Sequence, residues 1–174
     1  MFFYPPNKKS KFAEIILFIM IQRVQSIWLF LAAIVLVLML FLPVLTKENK
    51  TVETSIHTVG LYQDVVGKPG PGLLKEQFTP LLITNIVVAL LCFVNIFNFR
   101  KRALQKRIAI LSIIAIGAFA FWCSIFAQKL PGGIDGAHFD FGAYLPAISI
   151  LFCVLAIFGI NKDEKLIRSA ERLR

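Results

Sequence analysis

The sequence predicts an all-α membrane protein: an antiparallel four-helix transmembrane bundle with a small extracytoplasmic loop cap, able to hold a short β-hairpin, and a C-terminal cytoplasmic amphipathic helix. Three observations predict it. Of 174 residues, 57% are hydrophobic and only 17% charged, where a soluble domain carries about a quarter charged. The apolar residues fall in four unbroken blocks, each near the roughly 20 residues that a helix needs to cross about 30 Å of hydrocarbon. Lys and Arg gather in the segments that flank those blocks on one side. An aqueous fold could not hide so much apolar surface and still show water a polar coat. Secreted disulfide scaffolds and disordered tails are excluded with it.

Residues 1–19 form an N-terminal extension in which Phe2, Phe3, Tyr4, Pro5 and Pro6 show no periodicity. Met20 then opens a conventional basic lead-in, so translation is expected to start there. The competing reading is an interfacial helix over 11–23, lying on the membrane by Phe12, Ile15, Ile16 and Ile19. The first span, 27–45, is too long for the apolar core of a signal peptide and no small-x-small cleavage site follows it, so it stays attached as an anchor. The other spans are 81–99, 108–127 and 143–160. At 1.5 Å per residue each covers about 27–30 Å. None alternates apolar with polar as a barrel wall would, so the spans are helices.

Orientation follows from the cations, because short basic loops resist translocation. Four lie before the first span, five in the link 100–107 (Arg100, Lys101, Arg102, Lys106, Arg107) and five in the tail 161–174, which includes Lys165, Arg168 and Arg172. The outer loops 46–80 and 128–142 hold the remaining five, offset by Glu48, Glu53, Asp64, Glu76, Asp135 and Asp140. Both termini are therefore expected in the cytoplasm. The net charge of +9 is accounted for as a topology signal, and nucleic acid is not needed as a partner.

Within the spans there is no Asp, Glu, Lys, Arg or His, which argues against proton relays and ion pathways. Pro43 and Pro146 sit near the outer ends, so the mid-membrane breaks of many transporters are missing too. Small and weakly polar residues mark expected packing seams. In the fourth span these are Gly142, Pro146, Ser149, Cys153 and Ala156; in the third, Gly117, Ala120, Ser124 and Gln128. The second span carries Asn85, Cys92 and Asn95 on one stripe, with Asn98 a turn further. An amide facing lipid is costly, so this stripe should point inward, either as interhelical glue or as a polar cavity for a ligand headgroup.

Chemistry has few candidates. Cys92, Cys123 and Cys153 lie inside the spans without C-x-x-C spacing and are expected to pack as small hydrophobes. His57 and His138 lie in different outer loops without metal-ligand spacing. No nucleophile with its base, phosphate loop or close carboxylate pair is found, so neither an enzyme, a metal nor a cofactor is expected. In the first outer loop, 51–59 alternates with Val52, Thr54, Ile56 and Thr58 on one side until Gly60, and 68–72 (Lys-Pro-Gly-Pro-Gly) forces an irregular turn. The third loop is expected to pair with this first loop as a small cap, its Ile134, His138, Phe139 and Phe141 lying on the membrane or on that strand. In the tail, Leu166, Ile167, Ala170 and Leu173 are helically spaced, giving an amphipathic continuation of the fourth span.

The run from Gly159 to Arg174, GINKDEKLIRSAERLR, resembles the terminal signature of a bacterial family of four-span membrane proteins known as a domain of unknown function. The opening from Met20 to Gln25 and the link ending Leu104, Gln105, Lys106, Arg107 are similar to it as well. Asn161 and Glu171 depart from the pattern, where a basic residue and Asp are expected. The resemblance covers 20–174 and implies the inner membrane of Gram-negative bacteria. It implies no activity and no cofactor. The expected function is a non-enzymatic assembly or accessory module of that membrane. Its Arg100, Lys101, Arg102, Lys106, Arg107, Lys165, Arg168 and Arg172 would contact anionic lipid headgroups or a membrane or cytoplasmic protein partner. The rival is a carrier or binder of a lipid or small molecule at Asn85, Cys92 and Asn95.

Overall fold

Pro43 keeps a helix from running through the whole first apolar block, because a proline disfavours the helical conformation in the residue before it, and the helix in fact ends sooner, at Leu38. The computed structural model describes residues 25–49, 52–65, 72–131 and 133–172. The N-terminal extension, its alternative helix and most of the 68–72 turn lie outside them. Helix α1 runs Gln25–Leu38. Beyond it the backbone tightens into turns, with Leu40 and Phe41 bonding three residues back. The first span was expected as helix to residue 45. Its last seven residues are instead turn and the first residue of a strand, and the 14 described helical residues cover about 21 Å.

The chain then builds a sheet larger than the expected hairpin. Strands β1 (Leu45–Glu48), β2 (Val52–Ile56), β3 (Gly60–Val65), β4 (Leu73–Gln77) and β5 (His138–Phe139) lie in the order β4-β3-β2-β1-β5, antiparallel throughout. The third loop does pair into this cap, but with β1 (Leu45 opposite Phe139, Thr46 opposite His138), not with β2. Alternation in β2 places Thr54 and Ile56 on the buried face, and Thr58 beyond it is fully buried. Gly60 does not end the structure; it opens β3. A Cβ there would lie 2.3 Å from the Glu76 carbonyl oxygen, so only glycine lets β4 approach this closely.

Helix α2 spans Thr79–Ile96, with Pro80 in its first turn, where a missing N–H costs nothing. A short 3-10 turn, Phe97–Arg100, and the non-helical Lys101 lead directly into α3, Arg102–Ala127. The expected basic link is therefore mostly the first turns of α3. Helix α4, Phe141–Arg172, carries the fourth span and the tail in one 32-residue rod, about 48 Å long. Its start is fixed by backbone bonds to the segment after α1: Asp140 N–H donates to the Val44 carbonyl and Gly142 N–H to that of Pro43.

α3 packs against both α2 and α4. α1 runs antiparallel to α4, with Trp28 stacked on Phe152, the Ser149 hydroxyl donating to the Ala32 carbonyl at 3.4 Å and Gln25 against Gly159. The seam expected on α4 is buried throughout and continues through Ile160 and Asp163. The seam expected on α3 is not the contact face. Gly117 has open space around it and Ser124 is exposed, while Gln105, Ala109, Ser112, Ile116, Phe119, Cys123 and Ala127 are buried. Small side chains allow close approach but do not compel it, and α3 meets its neighbours through a different face, on which the small Ala109, Ser112, Cys123 and Ala127 alternate with Gln105, Ile116 and Phe119.

Two apolar clusters hold the fold. One joins the sheet to the helix ends through Leu45, Ile56, Leu61, Phe78, Leu81 and Phe119; the other lies among the helices around Leu36, Val88, Cys92, Ile116 and Cys153. Among the described residues three helices are long and apolar enough to cross a membrane, and no more than a third of each such stretch is buried within the protein. The remainder presents side chains such as Ile83, Leu90, Ile114 and Leu151 outward, a surface suited to lipid and not to water.

Candidate functional site

Helical spacing brings cations together at the tail end of the helices. Phe158, Lys162, Lys165 and Arg168 recur at intervals of four, three and three along α4, hence on one face. With Asn161 and Glu164 of the same helix, and Lys106 reaching across from α3, they line a groove of about 580 Å³. Of the cations singled out in the sequence, the groove gathers Lys106, Lys165 and Arg168. It does not gather the others. Lys101 and Arg107 are exposed elsewhere, Arg102 is half-buried and its charge acts on Asp163, and the side chains of Arg100 and Arg172 lie outside the described ones. Lys162 was missed by sequence reasoning, although its spacing to Lys165 and Arg168 was available. Four cations against one carboxylate, with Phe158 at the apolar margin, give a surface that can hold a phosphate group while keeping contact with hydrocarbon.

Beneath this groove lies a buried polar layer with one residue from each helix: Gln25, Asn95, Gln105 and Asp163, none more than 4% exposed. The Asn95 side-chain N–H donates to the Gln105 main-chain carbonyl at 3.1 Å. Asn95 Oδ1, both side-chain polar atoms of Gln105, Gln25 Nε2 and Asp163 Oδ2 have no partner. Asp163 could have been found by extending the α4 seam by its own alternating spacing of four and three.

The Asn85, Cys92, Asn95 stripe is fully buried, but its members have different neighbours. Cys92 meets the Cys153 thiol and the Ser112 hydroxyl, and all three cysteines are free thiols. Asn85 makes no side-chain hydrogen bond and lines a groove between α1 and α2 that does not include Cys92 or Asn95. No group of three His, Cys, Asp or Glu suited to a metal occurs among the described residues. In the sheet, His57 packs edge-on against Tyr62. Burial pushes its pKa below the ordinary histidine value, against the opposing pull of Asp140 and Asp64.

Among the described residues there are four helices with an antiparallel sheet at one end, and three of those helices have the length and apolarity of membrane spans, which points to membrane association. The chain matches the model of the family described as "Domain of unknown function (DUF4293)" over residues 21–173, and it belongs to that family. No curated protein matches it.

Proposed function

We propose that this chain is a non-enzymatic assembly or accessory module of a bacterial inner membrane. Its four helices form a transmembrane bundle, the sheet caps the bundle outside, and both termini lie in the cytoplasm. The face built from α3 and the α4 tail engages anionic lipid headgroups. The observation that carries this reading is the basic groove of Lys106, Lys162, Lys165 and Arg168, placed where α4 emerges from its apolar stretch. A juxtamembrane cation contributes about 1 kcal/mol toward an anionic surface. The groove collects four, so it should select phosphatidylglycerol over phosphatidylcholine.

The test is lipid retention by the purified chain in mixed nanodiscs. Enrichment of phosphatidylglycerol should fall roughly tenfold or more when Lys106, Lys165 and Arg168 are all replaced by Gln. It should also weaken with salt, because the three side chains are partly or fully exposed. Equal enrichment in the variant would end the lipid assignment, and a periplasmic C-terminal tag would end the orientation.

A further inference from the structure

We infer that the groove between α1 and α2 is a binding site for one acyl chain of an ester-linked glycerolipid, whose carbonyl accepts a hydrogen bond from the Asn85 amide. The groove measures about 350 Å³, within the range of small-ligand sites, which are mainly apolar with a few placed polar groups. Its lining includes the small residues Ala33 and Ala89 and the larger Phe30, Ile34, Leu90 and Phe93. Those four large side chains are 37–53% exposed, so the groove opens outward, whereas Asn85 is 0% exposed. Asn85 is the one polar residue in the lining, and neither its Nδ2 nor its Oδ1 has a partner. Buried polar groups are nearly always paired, so an orphan amide on a groove calls for something that the groove admits.

The candidates separate on geometry. A water needs two to four polar partners, and this groove offers one residue. A helix of a second copy is about 10–12 Å across, too broad to reach a fully buried amide behind half-exposed walls. A single acyl chain is narrow enough to lie along the groove, and its carbonyl reaches the covered amide once one of the half-exposed wall side chains turns aside. Asn85 lies four residues inside the apolar stretch that begins at Leu81, about 6 Å along the helix. An ester at the edge of the hydrocarbon layer on the sheet side therefore needs to sink by only about one turn. This inference rests on the bundle lying in a bilayer, and it is independent of the basic groove.

The experiment compares lipids that differ only in the carbonyl. The full chain is reconstituted with equimolar diester and diether phosphatidylcholine of matched chain length, and the retained lipid is weighed by native mass spectrometry. The uncharged balance of this headgroup keeps the basic groove out of the measurement. The wild type should retain the diester three- to tenfold over the diether, the worth of one neutral hydrogen bond. Asn85→Leu should abolish the preference, Ala89→Leu should reduce retention of both lipids by filling the groove, and the Lys106, Lys165, Arg168 triple variant should keep the preference. Equal retention of diester and diether by the wild type, no retention of either, or an unchanged preference in Asn85→Leu would overturn the assignment. The wild-type comparison stands even if a variant fails to fold.

Discussion

Within the sheet and the turns that join it to the helices, what the fold buries is paired. The Thr58 hydroxyl donates to the Met39 carbonyl at 3.1 Å, the Thr46 hydroxyl to the Asp140 carboxylate, and the Lys47 ammonium to the Gly133 carbonyl. Lys129 bonds Glu76 at 2.9 Å and lies over the Phe126 ring. At the tail end, Gln25, Asn95, Gln105 and Asp163 are as deeply buried, yet five of their polar atoms have no partner. None of the unpartnered buried side-chain atoms among the described residues lies in the sheet. The sheet end is closed by a backbone ladder, which satisfies its own donors and acceptors. The tail end is closed by side chains from four separate helices, which need one another or a ligand.

The sharpest way to break this comparison is Phe78→Ala. Phe78 is 1% exposed and ties the sheet to α2, packing on Phe126. Its loss should cost about 3–5 kcal/mol in equilibrium unfolding in mild detergent, and a change under 1 kcal/mol would mean that the sheet end carries little. Next comes Gly142→Ala. The added Cβ would stand 2.4 Å from the Pro43 carbonyl oxygen, a backbone atom that cannot swing aside, and overpacking of this kind costs about 1–3 kcal/mol.

The tail end should answer differently. Gln105→Leu removes two unpartnered atoms and spares the bond from Asn95, which goes to the main chain. Unfolding should be unchanged or stabilised by about 1 kcal/mol; a destabilisation of that size or more would show that the layer is paired through something bound.

The smallest effect is a pH dependence at His57. Its folded pKa is held below the unfolded value of about 6.5, so the unfolded state takes up its proton first as pH falls. The contribution of neutral His57 is complete above that value and is lost as pH falls through the folded pKa. Between pH 7 and pH 5 the sheet should lose slightly more stability in the wild type than in His57→Gln, as read by thermal midpoints of the two proteins.

Much of the fold was legible along the chain. Apolar blocks of span length located α2, α3 and most of α4, and the spacing of Gly142, Pro146, Ser149, Cys153 and Ala156 named the buried face of α4. The same reasoning failed on α3, where Gly117 and Ser124 looked like a seam and face outward. Size alone does not say which side a neighbour occupies. Alternation disclosed β2, but β1, β3, β4 and β5 are short and their pairing joins residues as far apart as Leu45 and Phe139. At the candidate sites, composition found the cations and amides; the spacing along α4 that would have added Lys162 and Asp163 was not followed far enough, and Gln25 and Gln105 gain their place only beside other helices.

The sequence by itself determined what depends on near neighbours: which stretches are helical over most of their length and where charge collects. The tertiary structure alone decided which cations share a groove, which amides lose their partners and how five strands assemble from two separated loops. The physical reason is range. Helical periodicity and hydropathy act over a few residues, whereas a groove, a buried polar layer or a strand ladder exists only once distant segments are held at fixed distances by packing.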